Sequence, residues 1–313
     1  MTIDKKFIDQ FINITSKAAL ESSYLVGKKD KIAADKAAVD SMRNELNKIN
    51  MKGCIVIGEG ELDQAPMLYI GEKLGTGNGP ELDIAVDPLE GTNFAANNLP
   101  GALSVIAVAE RSHLFNAPET YMDKIAILSS EKDIVDLDNS VTKNIKNLAD
   151  YKNTQPDKLT ACILDRPRHK KHIDELKALN VKLKLISDGD VSGALLVTDE
   201  KYDVDIFLGI GGGPEGVLAA SALDAYGCFF QGKFLFDTKE DKLRAKKMGI
   251  ENFEKKYDLN EIVSGDSIFC ATGITSGDLV QGIDIEKDTF TSETLVTHKS
   301  SRIRTTVKSK YKI

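Results

Sequence analysis

The run Asp87-Pro88-Leu89-Glu90-Gly91-Thr92 places two carboxylates, a backbone-shaping proline and glycine, and one hydroxyl behind the apolar stretch 82–86, which only Asp83 interrupts. Aspartate and glutamate oxygens are hard ligands suited to magnesium or manganese, whereas zinc favours histidine and thiolate spacings that this chain lacks. Two carboxylates about 4 Å apart at an effective dielectric near 20 repel by roughly 4 kcal/mol, so such a cluster calls for cations or protons. A solvated Asp-Pro turn uses the same residues. Pro88 removes a ladder donor and fixes φ, so the strand is expected to end there, with Asp87 at its carboxyl lip.

Other expected strands end the same way. Ile57 leads to Glu59, Glu61 and Asp63, Leu164 to Asp165-Arg166-Pro167-Arg168-His169, and Ile186 to Asp188-Gly189-Asp190. Ligands of open α/β sheets gather beyond the carboxyl ends of strands, so the repetition weighs more than any one match and argues against scattered acidic turns. Arg166 and Arg168 flank Pro167, expected to hold the segment extended, and guanidinium forks grip phosphate through two parallel hydrogen bonds. The competing reading is a solvated basic start to the helix that Lys170-Lys171 opens. His169 alone carries no information.

The run Gly209-Ile210-Gly211-Gly212-Gly213-Pro214-Glu215-Gly216 follows a strand and opens a helix, with Pro214 near the first helical position, where its missing donor costs nothing. Read from Gly211 it matches a dinucleotide fingerprint, and Asp237 lies near the distance expected for a ribose-binding acid. Glu215, however, sits where a pyrophosphate would approach and would repel it. Metal ligation by Glu215 explains more.

The elements that must position these residues follow from periodicity. Apolar residues at helical spacing predict helices over 4–26 and 32–49, and short apolar runs predict strands at 54–57, 82–86 and 103–109. The segment 139–158 is polar and helical, then reaches Asn153-Thr154-Gln155-Pro156, the expected domain boundary. Beyond it, strands at 159–164, 181–186 and 204–210 alternate with helices at 170–180, 190–198 and 214–226, the rhythm of stacked βα units. Further strands are expected at 267–271 and 294–307, the last a hairpin around Lys299-Ser300-Ser301, while 239–256 reads as a charged, solvated helix. Two lobes result, an α+β lobe at 1–155 carrying the metal residues and an α/β lobe at 156–313, with the active site in the cleft between them.

The chain has 313 residues, with 41 basic against 48 acidic side chains, and this mild acidity argues against general nucleic-acid binding without excluding a local basic pocket. Cys54, Cys162, Cys228 and Cys270 lie far apart in apolar runs and read as buried, reduced thiols, which fits a cytoplasmic protein. No apolar stretch approaches the roughly 20 residues needed to cross a bilayer, and the first residues show neither signal peptide nor anchor.

Taken in order along the chain, 31–42 with Asp35, Gly58-Glu59-Gly60-Glu61-Leu62-Asp63, 87–92, Tyr121, 166–169, 188–190 and 211–216 resemble the class II (GlpX-type) fructose-1,6-bisphosphatases, within the lithium-sensitive sugar and inositol phosphatase superfamily. The resemblance spans nearly the whole chain. It implies a layered α/β/α/β/α fold and metal-dependent, gluconeogenic hydrolysis of the 1-phosphate of fructose 1,6-bisphosphate in a homo-oligomer, dimer or tetramer. Carried over residue by residue, it makes Asp35, Glu59, Asp87, Glu90 and Glu215 ligands of manganese or magnesium. Glu90, Gly91, Thr92, Tyr121, Arg166, Pro167, Arg168, Asp188, Gly189, Asp190 and Gly212 would line the substrate site. Thr92, helped by Glu59 or Asp63, would orient the attacking water. Glu90 stands where the wider superfamily usually has aspartate, and 237–246 is shorter than the family usually shows. The alternatives are a sedoheptulose-1,7-bisphosphatase or inositol-phosphatase-like enzyme and, from another class, a dinucleotide-binding protein built on Gly211-Gly212-Gly213-Pro214-Glu215-Gly216.

Overall fold

A computed structural model describes residues 2–58 and 68–313, so Glu59, Glu61 and Asp63 lie outside the described residues. The chain divides into two compact units, Met1–Asn116 with Val263–Ile313, and Ala117–Ile262. This moves the boundary expected near Pro156. That segment lies inside the second unit, and the last fifty or so residues return to the first.

In chain order the first unit contributes α1 (Lys6–Ser23), α2 (Lys31–Leu46), β1 (Lys52–Ile57), β2 (Lys73–Leu74), β3 (Glu81–Glu90), α3 (Thr92–Asn97) and β4 (Leu103–Glu110). The second unit follows with β5 (Tyr121–Ile127), α4 (Val141–Tyr151), β6 (Thr160–Leu164), α5 (Lys170–Ala178), β7 (Lys182–Ile186), α6 (Asp190–Leu195), β8 (Ile206–Gly212) and α7 (Gly213–Asp224). It closes with β9 (Phe229–Phe234), α8 (Lys239–Lys247), β10 (Lys256–Asp258) and α9 (Leu259–Ile262). The chain then re-enters the first unit as β11 (Ser267–Gly273), β12 (Asp284–Glu286), β13 (Thr289–His298) and β14 (Ile303–Lys312).

The return is enforced by strand pairing. β11 is antiparallel to β4 from Ser267↔Ala109 to Gly273↔Leu103, and β13 pairs β11 on its other side. The first sheet therefore runs β12-β13-β11-β4-β3-β1-β2, with β14 on β13; β1 and β3 are parallel and the other pairs antiparallel. The expected hairpin around Ser300 is the β13–β14 connection. Helices α1 and α2 pack together and bury Phe7, Phe11, Ile14, Ala38 and Met42 in the same core as Ile84 and Ile106 of the sheet. Each large apolar side chain buried in this way contributes about 2 kcal/mol.

The second sheet runs β10-β9-β5-β8-β6-β7. Its β8-β6-β7 half is parallel, as βα units require, but β5 lies antiparallel between β8 and β9, neither β5 nor β9 having been expected from periodicity. The unit is a mixed α/β sheet rather than stacked βα units alone. The segment after Phe236 includes helix α8, whose Thr238 and Asp241 form a capping box. All four cysteines are buried and free, and no helix among the described residues is long and apolar enough to cross a membrane.

Candidate active site

In the first unit, β3 does not stop at Pro88. It runs on to Glu90, and the pairing with β4 slips between Asp87↔Val105 and Glu90↔Leu103. A bulge of this kind leaves residues unpaired and re-aims side chains, so a proline without a donor fits inside it. Glu90 is buried at 3% exposure while Asp87 is half-buried. Gly91 follows at φ 78°, a left-handed conformation that favours glycine, and it caps α3, whose first residue is Thr92. The acidic and hydroxyl groups thus stand where strand turns into helix.

Asp35 reaches this neighbourhood on α2, which packs against both β3 and α3. The helix is started by Asp30, whose carboxylate accepts the Ala33 N–H at 3.0 Å. Burial pushes the Asp35 carboxyl up to about 6, with no cation offsetting it among the described residues. Among those residues, no three His, Cys, Asp or Glu side chains converge on a point that would hold a metal. The donors are nonetheless all hard oxygens, and a half-buried acid whose charge no cation among the described residues offsets is a group that a divalent cation suits.

The second unit brings its expected residues together more tightly. Arg166 lies 4.0 Å from Asp188. Its backbone is extended, as a residue before proline must be, but Pro167–His169 form a single 3-10 turn instead of the expected extended run. Arg168 stacks 4.9 Å over the Tyr121 ring and donates from Nε to the Ile210 carbonyl at 2.8 Å. Tyr121 in turn faces Gly212 across the β5–β8 ladder. Gly189, at φ 84°, caps α6, which begins with the largely buried Asp190.

Lys124 stands at the centre of this arrangement. It is 1% exposed, pairs with the Asp190 carboxylate, and donates to the Gly212 carbonyl at 2.8 Å. Asp190 Oδ1 is buried without a hydrogen-bond partner among the described residues. Burial raises the Glu215 carboxyl, the nearby Lys124 ammonium works against that rise, and Asp190 adds to it. Glycine leaves these acids their room against β8: a Cβ on Gly211 would lie 2.0 Å from Asp190 Oδ2, and one on Gly212 would lie 1.9 Å from Glu215 Oε2, so either carboxylate would have to move.

The same close approach weakens the dinucleotide reading. Glu215 folds back onto the glycine turn, and the strand following α7, β9, is separated from β8 by the antiparallel β5, unlike the adjacent parallel strands of a dinucleotide-binding unit.

Sequence reasoning passed over Lys124 and set His169 aside as uninformative. For Lys124 a signal existed: in a strand of period two it shares a face with Met122 and Ala126, both fully buried, so an inward lysine could have been read. For His169 no signal shows the second partner, since Leu164 lies five residues before it but Ile210 comes from a distant strand.

The chain matches the family described as bacterial fructose-1,6-bisphosphatase, glpX-encoded, over residues 5–311. It is 42% identical over 308 residues to a protein of Prochlorococcus marinus (strain MIT 9301) named D-fructose 1,6-bisphosphatase class 2/sedoheptulose 1,7-bisphosphatase, covering 94% of this chain and 92% of that one. Proteins of the same name from Prochlorococcus marinus (strain MIT 9515) and Synechococcus sp. (strain CC9902) are each 43% identical, with the same coverage. With its strand-end acids and its arginine turn in the order that the resemblance implied, this chain belongs to the glpX-encoded, class II fructose-1,6-bisphosphatase family of phosphoric monoester hydrolases.

Proposed function

We propose that the enzyme removes the 1-phosphate of fructose 1,6-bisphosphate, releasing fructose 6-phosphate and inorganic phosphate. The observation that carries this reading is the match to the family along 5–311, near the full length of the chain. The stacking of Arg168 on Tyr121, with Arg166 beside Asp188, supports it, because a guanidinium held in place by a ring is a good fork for a phosphate that is not cleaved.

Asp35, Glu59, Asp87, Glu90 and Glu215 would hold manganese or magnesium, which when bound neutralises phosphate and lowers the pKa of a coordinated water. Thr92, at the start of α3, orients the attacking water, with Glu59 or Asp63 taking its proton; these two acids lie outside the described residues. Gly91 lets the backbone approach the phosphate. Arg166, Pro167, Arg168 and Tyr121 hold the second phosphate, and Asp188, Gly189, Asp190 and Gly212 meet the sugar. The four reduced, buried cysteines suit work in the cytoplasm, and the family resemblance suggests a homo-oligomer, which light scattering would size.

The relatives' shared name favours a second substrate, sedoheptulose 1,7-bisphosphate, for the same site. Phosphate release from the two bisphosphates and from inositol monophosphate, with manganese, with magnesium and with chelator, tests the reading. We expect rapid metal-dependent release from one or both bisphosphates and little from the inositol ester. Release only from the inositol ester, or none from any, would contradict it.

A further inference from the structure

His169 is completely buried at the turn that carries Arg166 and Arg168. Its Nδ1 lies 2.7 Å from the Leu164 carbonyl, and its Nε2 lies 2.7 Å from the Ile210 amide nitrogen. A carbonyl can only accept, so Nδ1 carries the proton, and a backbone N–H can only donate, so Nε2 is bare. The two bonds together allow one tautomer of the neutral ring.

The partners are informative. β6 and β8 are registered only at Ala161↔Ile206 and Cys162↔Phe207, and Leu164 and Ile210 lie beyond those pairs. Past the end of the ladder the imidazole takes over, joining the end of β6 to the end of β8. Ile210 is fastened at both of its backbone groups, its N–H to His169 and its carbonyl to Arg168. Gly209, at φ 147°, leaves the ring its space, since a Cβ there would stand 3.1 Å from Nε2. Two residues past Ile210, Gly212 faces Tyr121, over which Arg168 stacks.

From this geometry we infer that His169 is the positioning residue of the phosphate grip: its neutral ring locks the Arg166–Arg168 turn to the carboxyl end of β8, and so sets where Arg168 and Tyr121 present themselves to the phosphate that is not cleaved. The inference rests on the bisphosphatase reading. Burial, which lowers the His169 pKa, agrees with a ring kept neutral. No proton passes through His169 in this role.

The test uses the full-length enzyme and two substrates, fructose 1,6-bisphosphate and fructose 1-phosphate, the second lacking the phosphate that the grip would hold. In His169→Asn, whose short amide reaches Leu164 but not Ile210, we expect the KM for the bisphosphate to rise about tenfold with kcat within about twofold, and the constants for fructose 1-phosphate to move less than about twofold. His169→Gln, whose longer amide can accept from Ile210, should recover part of the loss. An unchanged KM, or an equal loss on both substrates, would overturn the inference while leaving the bisphosphatase reading intact. No phosphate release by the wild type would overturn that reading and the substrate role of His169 with it. The ring is also read directly: imidazole nitrogen chemical shifts of the wild type should show Nδ1 protonated and Nε2 bare, and the opposite tautomer would overturn the lock.

Discussion

Two acids, one in each unit, sit in contrasting surroundings. In the second, Lys124 pairs with Asp190, Arg166 approaches Asp188, and His169 is kept neutral by its two backbone partners, while Glu215 is raised by burial. In the first, Asp35 on α2 is raised by burial, with no offsetting cation among the described residues. An acid held by a buried cation, as Asp190 is by Lys124, is suited to recognising a ligand in a fixed geometry. An acid such as Asp35, with no balancing cation among the described residues, is suited to taking up a metal ion. The contrast matches the proposed division of labour, with metal and the attacking water served mainly from β3 and α3, and sugar and second phosphate gripped from β5, β6, β7 and β8.

Substitutions can break this contrast, beginning with the largest effect. Asp87→Ala should lower the kcat for metal-dependent phosphate release on the order of a thousandfold, as loss of a metal-holding group at a reaction centre does. Near-normal turnover in a steady-state assay would remove Asp87 from the metal set. Lys124→Met leaves Asp190 buried without its cation and should cost about 3–5 kcal/mol of stability, read by denaturant unfolding. Adding Asp190→Asn should restore most of that loss, since the uncompensated charge is gone; no recovery would mean that Lys124 stabilises by packing alone.

Arg168→Ala should raise the KM for the bisphosphate about tenfold while kcat changes little, the mark of lost binding rather than lost chemistry. A collapse of kcat instead would blur the division between the units. The smallest effect concerns Asp35. Its folded carboxyl is raised from the ordinary 3.8 to about 6, so the stability it lends is fully present below about 3.8 and is lost as pH rises through about 6. In metal-free protein, Asp35→Asn should therefore melt a few degrees higher than wild type at about pH 8 and at the same temperature at about pH 3. Equal melting at both pH values would show that Asp35 is not strained by burial.

What the sequence disclosed follows the same physics. The opening helices were legible because they are written in local spacing: Phe7, Phe11, Ile14 and Ala18 share one buried face of α1, whereas the run expected to be extended over Arg166-Pro167-Arg168 closes into a 3-10 turn. Pairing between distant strands was not legible. Nothing local in 267–273 tells that it will lie beside β4, and so the first unit's second segment was assigned to the wrong lobe. The false boundary has a plain cause. Asn153, at φ 51°, and Pro156 stop α4, and a helix stop uses the same residues as a linker. Pro88 misled for a related reason, since a bulge accepts the residue that a regular ladder rejects. His169 was silent because half of its meaning lies in Ile210, forty-one residues on and brought to it only by the sheet.

The most direct measurement follows fructose 1,6-bisphosphate by phosphorus NMR with the full chain, first with manganese and then with excess chelator. With metal, the C1 phosphate signal should vanish, one inorganic phosphate should appear, and the C6 phosphate should persist; chelator should stop the reaction and fresh manganese should restart it. Loss of the C6 phosphate, or release that ignores the chelator, would contradict a metal-dependent 1-phosphatase whose second unit grips the phosphate that remains.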